Sequence, residues 1–290
     1  MRIAVTGANG FIGQQLCPYL HEQLKAGIIT LTRAPSAIDD KALSFLASDE
    51  QLISGLSQID CLIHLAARAH SNASATDLER DNLALSERVA KLTVAAKVAR
   101  VIYISSIKVN GDSTQGREPF TADETPQPDD DYGRSKLASE LIFKKHLANT
   151  PTELVIIRPP LVYGFNNKGN LKSLETLIQL GLPLPFANIK NQRDLISIEN
   201  LCTLITLTVI HPNAANQTFL ASDGVSRSTK EIIQLLAKNQ HKQIRFLTMP
   251  DWVFALLKKY KPQISARLMG DLQVDITKTQ SLLGWSPSTP

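Results

Sequence analysis

Cysteine is scarce in this chain: Cys17, Cys61 and Cys202 are the only three among 290 residues. Three unevenly spaced thiols form neither a disulfide framework nor a metal-binding set. Each falls in an apolar stretch, where a thiol packs as a small hydrophobe, and a reducing, cytoplasmic setting is expected. Long apolar runs are missing too. None reaches the roughly 18 residues that a membrane-spanning helix needs, so no membrane insertion is expected. Met1-Arg2 leads straight into Ile3-Ala4-Val5, and that run stops at a glycine, too soon for a secretory leader. Charge of one sign is also lacking. The formal net charge is only +4, and the 31 basic residues are scattered. Nucleic acid needs a concentrated basic stripe and is not an expected partner, whereas a weak positive field suits an anionic small molecule.

What is present is an ordinary globular balance, 43% hydrophobic and 20% charged, in a length that suits one large α/β unit with a smaller lobe. Short apolar runs at Ile3–Val5, Ile28–Leu31, Cys61–Leu65, Val101–Ser105 and Leu154–Arg158 read as strands. Helical patterns lie between them, near Phe11–Gln23, Glu50–Leu56, Asp77–Val98 and Tyr132–His146. Such alternation predicts an α/β fold built on a doubly wound parallel sheet. From about residue 159 the texture changes. Prolines punctuate it at 159, 160, 183 and 185, and a helix at Asn170–Leu180 has no flanking strand. A strand–helix pair follows at Asp194–Ile210 and a strand at Thr218–Ala221. Ser228, three residues before Glu231, has the spacing of a capping box.

Thr6-Gly7-Ala8-Asn9-Gly10-Phe11-Ile12-Gly13 leaves the first strand and opens a helix. Gly7 permits a tight turn, Gly10 lets backbone approach a pyrophosphate, and Gly13 lets helix and strand pack closely. The helix N-terminus then offers free N–H groups to phosphate. The second strand ends in Arg33, where an acidic residue would bond a ribose 2′-hydroxyl. An arginine suits a 2′-phosphate, which favours NADP over NAD as the cofactor.

Tyr132 and Lys136 stand four apart at the start of a helix and share one face, with Asp129, Asp130 and Asp131 before them as candidate caps. A phenol titrates near about 10, and a cation beside it lowers that value. The pair suits proton exchange with an alcohol or carbonyl beside a nicotinamide. Ser105 and Ser106 close a strand at the end where such sheets bind ligands. Asn82 lies on a stripe with Leu78, Leu85, Val89, Leu92 and Ala96, so it faces the core, either holding a water in a proton relay to Lys136 or capping a neighbouring strand.

With these residues the chain resembles the extended short-chain dehydrogenases of the NAD-dependent epimerase/dehydratase family, which modify nucleotide sugars. The likeness also takes in His64-Leu65-Ala66-Ala67, Asp81-Asn82, Arg158-Pro159, Tyr163-Gly164, Arg193-Asp194 and Asp275…Lys278…Leu283-Gly284-Trp285. It implies a Rossmann unit over 1–160 and 193–224, with an interwoven substrate lobe over 161–192 and 225–290. It implies catalysis by Ser106, Tyr132 and Lys136 with Asn82. The cofactor would lie against Gly7, Asn9, Gly10, Phe11, Ile12, Gly13, Arg33, Leu65, Ala66, Ala67, Ser105, Tyr132, Lys136 and Pro159. A UDP-sugar would meet Ser106, Lys168, Asn170 and Arg193, and His64 would be structural. Dehydratases of the group carry Asp-Glu after the active serine or threonine. Here Ile107-Lys108 follows Ser106, which argues against dehydration. Ser105-Ser106-Ile107-Lys108-Val109-Asn110-Gly111 is similar to 4-ketosugar reductases of the UDP-N-acetyl-quinovosamine type, with a UDP-hexose 4-epimerase as the alternative. Two departures stand out. Residues 42–48 lack the acidic residue that contacts adenine, and the chain stops soon after Trp285, as if the small lobe were abbreviated. Relatives pair through the helices that carry Asn82 and Tyr132, so a homodimer is the expected assembly.

Overall fold

The structure is a computed structural model that describes residues 1–33, 42–67, 75–164, 167 and 169–288. Its centre is a seven-stranded sheet. The strands are β1 (Arg2–Thr6), β2 (Gly27–Thr32), β3 (Leu43–Ser44), β4 (Cys61–His64), β5 (Arg100–Ile104), β6 (Glu153–Arg158) and, later in the chain, β9 (Thr218–Leu220). Their order is β3-β2-β1-β4-β5-β6-β9 and every pairing is parallel. Both faces are covered, so β4 and β5 are buried along their whole length and read as unbroken apolar runs.

Alternate residues of the strands enter two separate cores. Ile3, Val5, Ile63 and Ile102 point to one side, against α1 (Gly13–Leu24) and α6 (Ile198–Ile210). Ala4, Leu62 and Val101 point to the other, against α2 (Asp49–Leu56), α3 (Ala75–Ala95) and α4 (Asp131–Leu147). Cys61 and Cys202 are buried in the first core and Cys17 packs at its edge, so the thiols do serve as small apolar filler. A third core belongs to the lobe. It joins Tyr163, Leu171 and Ile178 of one segment to Ile233 and Leu236 of another. Its elements are β7 (Leu161–Tyr163), α5 (Gly169–Gln179), β8 (Leu195–Ser197), α7 (Thr229–Asn239), α8 (Asp251–Tyr260) and α9 (Pro262–Met269). The strand expected near Asp194 is β8. It pairs with β7 in a two-stranded sheet instead of joining the large one.

The capping box at Ser228 and Glu231 forms as its spacing predicts, and a second one joins Ser48 to Gln51. The last helix, α10 (Thr277–Leu283), and the segment after it return to the large sheet. There Trp285 is buried and its Nε1 donates to Thr203 Oγ1 at 3.0 Å.

Candidate active site

Strand order reverses between β1 and β4, and ligands of open α/β sheets bind outside that point, at the carboxyl ends of the strands. Four segments leave that rim: Gly7 after β1, Leu65-Ala66-Ala67 after β4, Ser105-Ser106 after β5 and Pro159 after β6.

Gly7 has φ +73°, and a Cβ there would lie 2.8 Å from the Ala66 backbone nitrogen. Only glycine lets the first turn press against the β4 loop. Thr6 holds the two together. Its Oγ1 accepts from the Ala66 N–H at 3.1 Å and shares a 2.7 Å hydrogen bond with His64 Nδ1. His64 is buried, and burial followed by the charge of Lys136 takes its pKa down to about 3. It is therefore a neutral, structural imidazole that fixes the Leu65–Ala67 loop. The glycine turn closes by Gly10 N–H to the Gly7 carbonyl at 2.9 Å. At the start of α1 no side chain caps the first turn and none there is acidic. Gln14, Gln15 and Leu16 donate to the Gly10 and Ile12 carbonyls, so the N–H groups that fit a pyrophosphate are those ahead of Gln14, at the positive end of the helix. Asn9 is exposed beside the turn, Phe11 and Ile12 are half-buried, and Arg33 is exposed at the end of β2. The arrangement fits a dinucleotide.

Ser106 caps a short 3-10 turn over Ile107–Val109, accepting from the Lys108 N–H at 3.2 Å. Pro159 pins the same turn, its carbonyl accepting from the Ile107 N–H at 2.9 Å. The first turn of α4 packs directly on it. A Cβ on Gly133 would collide with the Lys108 carbonyl oxygen, so glycine next to Tyr132 is what lets the helix approach. Asp130 is the cap of that helix, accepting from the Gly133 N–H at 2.7 Å. The result brings the Ser106 hydroxyl to the Tyr132 phenol, near enough to favour its ionised form.

Tyr132 is 39% exposed at the crevice rim. Burial first and the charge of Asp130 second push its pKa up to about 12, with the neighbouring Ser106 hydroxyl opposing. The expected lowering by Lys136 is corrected here. The lysine ammonium turns instead to the Ile104 carbonyl at 2.9 Å and to the face of Tyr103, 5.0 Å from the ring centre. Burial lowers the Lys136 pKa to about 8, with Glu140 opposing.

The two serines divide their roles. Ser105 points inward, its hydroxyl donating to Glu140 Oε1 at 2.5 Å, which leaves Ser106 as the hydroxyl facing Tyr132. Asn82 is half-buried on α3, not sunk in the core, because the apolar stripe above it is buried only from Val89 onward. Arg193 is half-buried, and its Nη1 donates to the Gly270 carbonyl at 2.8 Å. Burial lowers its pKa, while the charges of Asp112 and Asp271 oppose. Asp112 in turn pairs with Lys108 at 2.6 Å, and Lys108 reaches Asp130 at 3.3 Å. A file of charges thus connects Arg193 to the neighbourhood of Tyr132. Lys168 lies outside the described residues. Asn170 stands in the first turn of α5, and its side chain is likewise outside them. Among the described residues no group of histidine, cysteine and carboxylate side chains could hold a metal ion. Nor is any described helix long and apolar enough to cross a membrane.

The profile of the NAD dependent epimerase/dehydratase family matches residues 3–221. The chain belongs to that family. A Vibrio cholerae protein named UDP-glucose 4-epimerase is 40% identical over 298 residues, covering 98% of this chain and 90% of that one. An Escherichia coli O157:H7 protein, named as a 4-epimerase of N-acetyl-α-D-glucosaminyl-diphospho-ditrans,octacis-undecaprenol, is 21% identical over 92% of this chain and 81% of its own length. Among solved structures, the UDP-N-acetylglucosamine 4-epimerase of Bacillus cereus aligns with a TM-score of 0.79 at 23% identity, over 99% of this chain and 94% of that one. MoeE5 in complex with UDP-glucuronic acid and NAD aligns with a TM-score of 0.78 at 22% identity, over 100% of this chain and 95% of that one. These two share the fold: a parallel sheet with helices on both faces.

For this family member, two residues that matter to the geometry escaped the sequence reading. Glu140 continues the stripe of Tyr132 and Lys136 by another four residues, a signal that was available. Lys108 was noted only for replacing an acid, not as the partner of Asp112 and Asp130.

Proposed function

We propose that this enzyme moves a hydride reversibly at C4 of a UDP-linked hexose and acts as a 4-epimerase. The observation that carries the reading is the convergence of Ser106, after β5, with Tyr132 and Lys136 on the first turns of α4, which packs on the Ser106 turn. The 40% identical relative that covers nearly the whole chain carries the epimerase name. When bound, the nicotinamide supplies the hydride acceptor and donor. Tyr132 exchanges the proton of the C4 oxygen, Ser106 orients that oxygen, and Lys136 holds ribose hydroxyls and steadies the site electrostatically. A phenol raised to about 12 holds its proton at neutral pH, which suits the half-reaction that protonates a C4 ketone, while the half that oxidises the C4 hydroxyl needs the phenolate to accept its proton. Arg193, with Lys168 and Asn170, would receive the diphosphate and nucleotide; an arginine fork makes paired bonds to phosphate oxygens. Residues 1–160 and 193–224 would carry the cofactor, and 161–192 and 225–290 the sugar nucleotide. Two copies would pair through α3 and α4, where Leu141 stands 55% exposed on α4.

Net reduction of a UDP-linked 4-keto-6-deoxy-hexosamine is the second reading. Arg33 favours it, since an exposed cation at the end of β2 suits the 2′-phosphate of NADPH, a coenzyme consumed in reductions. One experiment separates the two. Purified protein is given UDP-glucose with no added cofactor, and separately the 4-keto sugar with NADPH or NADH. Formation of UDP-galactose with cofactor retained supports epimerisation. Loss of absorbance at 340 nm in the second arm alone supports reduction, and silence in both arms refutes both readings.

A further inference from the structure

Glu140 is wholly buried on α4, in line with Tyr132 and Lys136. Both of its oxygens are held. Oε1 accepts from the Ser105 hydroxyl at 2.5 Å and from Arg158 Nε at 2.9 Å, and Oε2 accepts from Arg158 Nη2 at 2.7 Å. The other arm of Arg158, Nη1, donates to Asn110 Oδ1 at 3.0 Å. Asn110 donates onward to the Thr121 carbonyl at 2.8 Å and to Glu124 at 3.1 Å. One carboxylate therefore ties together α4, the ends of β5 and β6, and the turn that Ser106 opens and Asn110 closes. Each tie lands beside a residue of the site: Ser105 beside Ser106, and Arg158 beside Pro159. A buried ion pair is poor evidence of net stability, because desolvation offsets much of the attraction. A fully bonded network does fix geometry.

We infer that Glu140 is a positioning residue. Through Ser105 and Arg158 it sets where α4, and with it the Lys136 side chain, lies against the strand ends. The inference rests on the reading of Ser106, Tyr132 and Lys136 as the reacting set. The titratable and charged groups around Lys136 are Glu140 and Tyr132 on its own helix, Tyr103 on β5 and His64 on β4, with Arg158 of β6 joined through Glu140. His64 is neutral and the buried phenols hold their protons, so Glu140 is the anion of the group among the described residues. Burial pulls the Lys136 pKa down, and Glu140 is what opposes it. Without that carboxylate the ammonium would lose its proton closer to neutral pH.

The test uses Glu140→Gln and Glu140→Asp in the full chain, with Ser105→Ala as a companion that leaves the carboxylate in place. The first readout needs no sugar. Lysines carrying a carbon-13 label are titrated by NMR, and the Lys136 signal is identified by its loss in Lys136→Arg. In Glu140→Gln the titration should move about one pH unit or more toward acid, and in Glu140→Asp it should stay within about half a unit of the parent. The second readout is turnover. In Glu140→Gln kcat should fall about tenfold or more with KM within about twofold, the alkaline limb of its pH profile should follow the lysine, and Glu140→Asp should recover much of the rate. A folded Glu140→Gln whose Lys136 titration and pH profile match the parent overturns the inference. Should that variant fail to fold, Ser105→Ala decides: a several-fold loss of kcat at unchanged Tm supports positioning, and an unchanged kcat overturns it. If the parent itself turns over no sugar, the reaction reading fails while the lysine titration still judges Glu140.

Discussion

At Lys136 two forces oppose each other: burial strips water from the ammonium, and the Glu140 carboxylate restores part of what is lost. The folded value near 8 lies below the value of about 10.4 for a free lysine. Below both values the residue is charged in both states, and the penalty for burying that charge is fully present. Between them the unfolded chain binds more protons, so resistance to unfolding rises with pH. Urea unfolding of the parent and Lys136→Met should therefore diverge in the parent's favour from pH 8 to pH 10. A constant difference over that window would contradict the buried charge. Tyr132 calls for kinetics instead. Tyr132→Phe removes the proposed proton donor but leaves the ring, and kcat should drop by about 10²- to 10⁴-fold while dinucleotide affinity, read by fluorescence titration, holds. At this scale the sequence was a good guide to identity and a poor one to environment. The spacing of Tyr132 and Lys136 told that they share a face, but not that the ammonium would turn to the Ile104 carbonyl. Nor could residue order show which of Ser105 and Ser106 faces inward, since that depends on Glu140 and Arg158 arriving from elsewhere in the chain.

Among the elements, α4 does most to assemble the site, and its first turn explains how. Asp130 caps it, and Gly133 gives it room against the Lys108 carbonyl. Gly133→Ala should displace that turn from the Ser106 loop, lowering both Tm and kcat. Asp130→Ala should cost about 1 kcal/mol through the lost cap, whereas Asp130→Asn keeps a capping oxygen and stays within a few tenths. The asparagine variant also removes the charge that raises the Tyr132 pKa, so any phenol-controlled limb in its pH–rate profile should move to lower pH. The long helices were legible because their periodicity runs over many residues, and the buried strands because they are short unbroken apolar runs between helical patterns. The lobe was not. β7 has three residues, and α8 and α9 have ten and eight, too few for a pattern to stand out between prolines and glycines.

For the molecule as a whole, the C-terminal segment acts as a clasp. Val274 N–H donates to Asp194 at 2.7 Å, Leu272 bridges to Arg193, and Trp285 enters the core beneath α6. These contacts fasten the lobe to the sheet from the far end of the chain. Trp285→Ala should cost about 3–5 kcal/mol, measurable as a lowered urea midpoint, with the reacting residues untouched. Cys61 and Cys202 lie in the same body of the protein, and burial pushes both thiols up to about 12. A thiol reagent such as DTNB should leave these two unmodified until urea unfolds the chain. The doubly wound architecture was readable from alternation alone. The clasp was not, because what joins Thr203 to Trp285 is proximity that only the folded chain creates.

Every reacting group hangs from one rim of the sheet, and the opposite rim is a row of tight bends. Lys25, Lys97, Asn149 and Asn216 all adopt left-handed backbone there, and all four are exposed. That side is chemically idle ground. An immobilising resin coupled at Lys97, or a reporter peptide spliced at Asn149, would stand a full strand length from the candidate site and leave its activity undisturbed.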